Sequence, residues 1–150
     1  RLKILKTSKN FKFFKFNLSN KKKIDNIFKY QKIDCVYHLA AQAGVRYSFI
    51  QPLKYINDNF LSFMNVLENI KEYKIKKFFF ASSSSVYGDI KKLPVKETDQ
   101  LNEKNLYSMS KTFNEKISKI YSEKYNLKIC GLRFFTVYGK WGRPDMFMMK

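Results

Sequence analysis

The feature that most constrains this chain is a repeated exchange between two hydrophobic periods. Short, nearly continuous apolar runs at 33–39 (IDCVYHL), 78–81 (FFFA) and 128–135 (KICGLRFF) are separated by longer stretches with apolar residues every three or four positions. A strand buried on both faces has no polar side, so these runs predict parallel strands covered by helices. The segment 11–16 (FKFFKF) alternates with lysine and predicts a further strand. Ser19 or Asn20 is placed to cap a short helix carrying Ile24, Ile27 and Phe28 on one face. Pro52 suits the first turn of a helix over 52–73, with Phe60, Phe63, Met64, Leu67 and Ile70 at helical spacing and Lys71 and Lys74 at its end. A last helix, 105–125, gathers Phe113, Ile117, Ile120 and Tyr121. The order β-α-β-α-β-α-β predicts an α/β domain, a doubly wound parallel sheet with helices on both faces.

With 150 residues, the chain has room for one domain. It is 45% hydrophobic and 17% aromatic, too apolar for a disordered chain. No apolar run reaches membrane-spanning length and no basic-then-apolar leader opens the chain, so the reading is a cytoplasmic protein with no membrane partner. Cys35 and Cys130 lie in apolar runs, where a buried thiol is expected. A single histidine, His38, argues against a histidine-based metal site, and none is assigned.

The net charge of +18 raises the question of nucleic acid. Of 30 basic residues, only Arg1, Arg46, Arg133 and Arg143 are arginine, the side chain that reads phosphate and guanine in bidentate fashion. Lysine, asparagine, isoleucine and phenylalanine all have A/T-rich codons, so a biased genome accounts for the composition. No nucleic-acid partner is assigned. A basic nucleic-acid module is the alternative of another class, and steeply salt-dependent DNA binding would mark it.

Tyr107-Ser108-Met109-Ser110-Lys111 carries the first chemistry. Residues four apart share a helix face, bringing the Lys111 ammonium towards the Tyr107 phenol. A free phenol, with a pKa near 10, is a poor base at neutral pH; a neighbouring cation favours the phenolate. Such pairs are common on the helices of a lysine-rich chain, but the upstream segment adds weight. Ala81-Ser82-Ser83-Ser84-Ser85-Val86-Tyr87-Gly88 follows a buried strand directly. The carboxyl end of a parallel strand is where open α/β sheets bind ligands, and hydroxyls there both donate to and accept from a sugar.

These segments resemble the extended short-chain dehydrogenase/reductase family, the NAD-dependent sugar-nucleotide epimerases and dehydratases, and within it the UDP-glucuronate 4-epimerases. The likeness rests on His38 to Ser48 (HLAAQAGVRYS), NDNFLSFMNVLE at 57–68, ASSSSVYG at 81–88, LYSMSK at 106–111, GLRFFTVYG at 131–139 and WGRPDM at 141–146. It implies a Rossmann-like fold, NAD as cofactor, a nucleotide-sugar substrate and a homodimer when full length. Tyr107 is then the catalytic base, Lys111 its partner at the nicotinamide ribose, and Ser83 the hydroxyl at the substrate's 4-position. Leu39, Ala40 and Ala41 line the cofactor, and Phe134 borders the nicotinamide. Asn59 is either a cofactor contact or a helix-to-loop tether. Ser84 and Ser85 lie at the sugar; Arg46, Thr136 and Arg143 are the candidates for a substrate carboxylate. His38, inside an apolar strand, is expected to be a hydrogen-bonded core residue.

The resemblance further implies epimerisation at C4, UDP-glucuronate to UDP-galacturonate through a 4-keto sugar, as in polysaccharide biosynthesis. Dehydratases of the superfamily carry an Asp-Glu pair where Ser84 and Ser85 stand here, so no acid or base is left to remove water. Other epimerases, dehydratases or decarboxylases of the family are the alternatives, as is an inactive structural remnant. None of the five glycines (44, 88, 131, 139, 142) forms the family's phosphate-binding turn after a first strand. Asn17-Leu18 replaces the usual aspartate near the adenine. The chain therefore reads as the central part of a longer enzyme, an incomplete NAD-binding domain with its C-terminal substrate region absent. On that reading residues 1–150 alone are inactive.

Overall fold

A computed structural model of the chain describes residues 2–90, 92–140 and 142. In chain order its elements are α1 (Leu2–Leu5), α2 (Lys21–Tyr30), β1 (Cys35–His38), α3 (Val45–Ile50), α4 (Pro52–Tyr55), α5 (Ser62–Glu72), β2 (Lys77–Ala81), α6 (Leu106–Tyr125) and β3 (Ile129–Leu132). A π-helical turn, Ile56–Leu61, joins α4 to α5, and a 3-10 turn, Ser84–Tyr87, follows β2. The strands form one parallel sheet in the order β1-β2-β3, pairing Val36 with Phe78, His38 with Phe80, and Phe80 with Gly131.

Local chemistry sets the helix boundaries. Asn20 caps α2, its side chain accepting from the Lys23 amide at 3.1 Å. Pro52, at the start of α4, has no N–H to leave unpaired there. Asn105 and Ser108 form a capping box at the start of α6, and Asn126 closes that helix in the left-handed conformation with φ 52°.

The core lies between the sheet and α2, α5 and α6. Ile24 and Phe28 of α2 and Phe63, Val66, Leu67 and Ile70 of α5 meet Phe78 and Phe80 of β2, with Ile117 and Tyr121 of α6 packed beside them. Phe63 is set edge-on to Phe80, ring centroids 5.1 Å apart.

Several sequence expectations are corrected. Residues 11–16 form no strand, because a strand exists only through ladder partners and no neighbour pairs with this segment among the described residues. The order is therefore three strands, not four. The run at 33–39 contributes only Cys35–His38, and Tyr37 is exposed on the sheet face opposite the core, stacked on Phe79 at 5.0 Å. Cys130, on that same open face, is exposed rather than buried. The predicted strand 128–135 is likewise limited to Ile129–Leu132. The helix over 52–73 is interrupted by the π turn, which shifts its faces, and Ile120 of α6 points to solvent.

His38 is buried in the core, as expected, but among the described residues its ring has aromatic neighbours and not the expected hydrogen bond. Buried edge-on against Phe63 at 5.4 Å, it is pushed down to about 4, first by loss of solvent and then by the Lys111 charge. A depressed imidazole contributes stability that is complete above the unfolded value of 6.5 and is lost as pH falls towards 4. Between pH 6.5 and 5 the loss is about 2 kcal/mol. Urea unfolding at pH 7 and pH 5 is expected to show that drop in the native chain and not in His38→Gln, whose side chain does not titrate.

Candidate active site

The site is built where β2 ends. The backbone of Ser82 donates to the Leu132 carbonyl and that of Ser84 to the Phe134 carbonyl, both at 2.8 Å, so the serine run continues the pairing of β2 with the β3 segment. Ser83 caps the 3-10 turn, its Oγ accepting from the Ser85 amide at 3.2 Å and from the Ser85 hydroxyl at 2.8 Å. Gly88 closes this turn with φ 63°. A Cβ there would come within 2.1 Å of the Asn102 carbonyl oxygen, so only glycine fits.

Helix α6 brings the Tyr-x-x-x-Lys pair to this edge. Lys111 is buried, and its Nζ donates to the Ala81 carbonyl at 2.8 Å, immediately before the serine run. The same Nζ lies 5.8 Å from the centre of the Tyr107 ring. Burial pulls the Lys111 ammonium down to about 8, so it remains largely charged at neutral pH. A buried cation and a phenol thus stand together at the end of β2.

The loop after β1 forms a second wall. Ala40 and Ala41, with Gln42, border a hollow of about 610 Å³ whose other side is Phe16, Asn17, Leu18 and Asp58. Asn17 donates to Asp58 at 3.2 Å. Small side chains let a flat ligand approach the backbone closely here, which fits a dinucleotide. Leu39 is exposed just before them. Asn59, a candidate cofactor contact or tether, has its amide engaged within the chain. Its oxygen accepts from the Gln42 amide at 2.7 Å, and its nitrogen donates to the Gln42 carbonyl at 3.1 Å and to Ser110 Oγ at 2.9 Å.

Tyr107, Lys111 and the serine turn thus share one edge of the sheet, with the backbone of Phe134 beside Ser84. Arg46, in the first turn of α3, and Thr136, beyond β3, are both exposed, and no contact between the two is described. Arg143 lies outside the described residues.

Three groups escaped the sequence reading. Tyr55 is completely buried against Tyr107. Gln42 and Ser110 complete the Asn59 tether. Glu115 of α6 and Arg133 just beyond β3 form a two-pronged ion pair, at 2.8 and 3.0 Å, with Ser82 also donating to Glu115 and Arg133 also donating to the Tyr87 hydroxyl at 2.9 Å. Polar residues spaced along a helix carry no signal of partners 18 positions away.

A parallel sheet with a serine turn and a Tyr–Lys pair at its carboxyl edge is an α/β domain of the Rossmann-like kind, with its ligand site at the strand ends. A family model described as GDP-mannose 4,6 dehydratase matches residues 1–150. The chain belongs to this family of sugar-nucleotide epimerases and dehydratases. An uncharacterized protein of Methanocaldococcus jannaschii is 42% identical over 151 residues, 100% of this chain and 46% of that protein. UDP-glucuronate 4-epimerase 4 of Arabidopsis thaliana is 46% identical over 122 residues, 80% of this chain and 28% of its own length. The structure of the Thermus thermophilus UDP-glucose 4-epimerase in complex with NAD superposes with a TM-score of 0.88 at 30% identity, over 95% of this chain and 46% of that one. The chain therefore spans less than half the length of these relatives. No helix among the described residues is long and apolar enough to cross a membrane.

Proposed function

We propose that the full-length protein is an NAD-dependent nucleotide-sugar 4-epimerase acting on UDP-glucuronate. The observation that carries this reading is the buried Lys111 ammonium, bonded to the end of β2 and 5.8 Å from the Tyr107 ring centre. The hollow beside Ala40 and Ala41 fits NAD, which supplies a reversible hydride acceptor when bound. Tyr107 takes the 4-hydroxyl proton as C4 is oxidised, and Ser83 orients that hydroxyl. After the 4-keto sugar turns, the hydride would return to the opposite face of C4, and Tyr107 gives the proton back to the 4-oxygen. Lys111 sets its ammonium beside the phenol through which this two-way transfer runs. Ser84 and Ser85 offer hydroxyls but no acid or base at the sugar, which favours epimerisation over dehydration. Arg46, Thr136 and Arg143 are assigned to the substrate carboxylate. Leu53 of α4 and Leu61 of the π turn are exposed, which favours a homodimer through the helical segment 52–73.

The test is product analysis by NMR on the full-length protein with NAD. UDP-glucuronate is expected to give UDP-galacturonate, with UDP-glucose turned over at least about tenfold more slowly. Loss of water or carbon dioxide from the substrate would overturn the reading. In the same assay Ser83→Ala is expected to lower kcat at nearly constant KM, and Ser85→Ala to erode the preference for the carboxylated sugar. Identical effects from the two would reject this division of roles.

A further inference from the structure

The side chain most tightly built into the site without a part in the chemistry above is Tyr55, the last residue of α4. It is 0% exposed. Its hydroxyl lies 2.6 Å from the Gly44 carbonyl oxygen and 3.2 Å from that of Ala43. Both carbonyls accept, so the phenol donates its proton to them, while the Gln42 side-chain amide acts on the same oxygen in the opposite sense. Burial outweighs the amide, raising the Tyr55 phenol above its ordinary value. Two tyrosines therefore stand side by side in opposite surroundings, one facing carbonyls and one facing the Lys111 ammonium.

The ring of Tyr55 meets that of Tyr107 edge-on, centroids 6.4 Å apart and planes at 78°. The π turn that follows Tyr55 carries Asn59, whose amide grips Gln42 and donates to Ser110 Oγ; Ser110 Oγ in turn donates to the Tyr107 carbonyl at 2.7 Å. Two struts therefore run to Tyr107, one from the end of α4 to its ring and one from the π turn to its backbone. Both are anchored to the loop 42–44, where Gly44, with φ 108°, starts the helix bearing Arg46. An unbroken α-helix would place residues 55 and 59 differently against this loop, and π turns recur where a helix is adapted to a site.

We propose that Tyr55 is a positioning residue: its ring, pinned by its hydroxyl to the Gly44 carbonyl, holds the Tyr107 phenol in the orientation that keeps it beside Lys111. This rests on Tyr107 being the base. Among the described residues, the titratable groups around Tyr107 are Lys111 on its own helix and Tyr55 from α4, with Tyr47 of α3 packed on Tyr55 and His38 of β1 facing Lys111. Removing the edge contact lets the Tyr107 ring swing, lengthening the average distance from phenolate to ammonium and weakening the stabilisation of the phenolate.

The test compares Tyr55→Phe, Tyr55→Leu and Tyr107→Phe in the full-length holoenzyme, measuring kcat and KM across pH. Tyr55→Leu is expected to lower kcat on the order of tenfold at unchanged KM, and to move the acid limb of the kcat profile to higher pH. Tyr55→Phe, which keeps the ring but frees it from Gly44, is expected to lose about threefold with a smaller move of the limb. If the leucine variant does not fold, the phenylalanine variant decides alone. Native kcat and an unmoved limb would overturn the proposal, as would a rise in KM with the limb unmoved, which is what loosened packing alone would produce. Should Tyr107→Phe stay active, the base reading itself falls and the positioning role with it. An inactive Tyr107→Phe beside a native-like Tyr55→Leu removes only the positioning role.

Discussion

Tyr107→Phe in the full-length enzyme is expected to keep cofactor binding and to lose turnover by about 10²–10⁴-fold, the usual worth of a positioned proton acceptor. The ring contact with Tyr55 survives the change, as does the Lys111 bond to the Ala81 carbonyl. Only the phenolic oxygen is removed. Calorimetric titration with NAD, set beside single-turnover rates, separates the two properties. A variant that keeps more than about a tenth of native turnover would exclude Tyr107 as the base.

The second large effect is expected at Glu115. Its carboxylate receives two guanidinium bonds from Arg133 and one from the Ser82 hydroxyl, with only 17% of its side chain exposed. Glu115→Leu leaves the Arg133 guanidinium without its counter-charge and removes the anchor one residue before Ser83. Partners left unpaired away from water make such single changes costly, while replacing both partners by apolar groups is often close to neutral. The single variant is expected to lose about 2 kcal/mol in chemical unfolding, a figure reduced for the partial exposure of the pair. The double variant Glu115→Leu, Arg133→Met is expected to be clearly more stable than the sum of the two single losses predicts. Strict additivity would mean that the pair is not coupled.

The same network explains why some functional geometry is hidden from a linear reading. Arg133 also donates to the Glu97 carbonyl at 2.9 Å, so one guanidinium ties the loop after Gly88, the Tyr87 ring and α6 into a single unit. These partners lie 18 to 46 positions apart in sequence. Nothing in hydrophobic period or motif spacing encodes such a meeting. It depends on how far β2 and β3 run before the chain turns.

Some elements were fully legible. Tyr107 and Lys111 share a helix face because helical geometry alone puts residues four apart together, and the serine run had to lie at a strand's carboxyl end because an apolar strand precedes it. Asn20 and Asn105 marked helix starts through side chains able to accept from free backbone amides, a purely local property. Other elements needed neighbours. The segment 11–16 has a strand's alternation but no ladder, since pairing is a property of two chains' backbones and not of one. Tyr37 and Cys130 read as buried yet face outward, because burial depends on what covers a sheet face and not on how apolar it is.

The sequence by itself thus determined the alternation of strand and helix, the parallel order and the Tyr–Lys pair, all of which follow from interactions within a few residues. Tertiary structure alone decided the π turn, the burial of Lys111 that lowers its ammonium to about 8, the Tyr55–Tyr107 contact and the Glu115–Arg133 clamp. Desolvation and long-range pairing arise only when distant segments exclude water from one another, and no local pattern fixes which segments those will be.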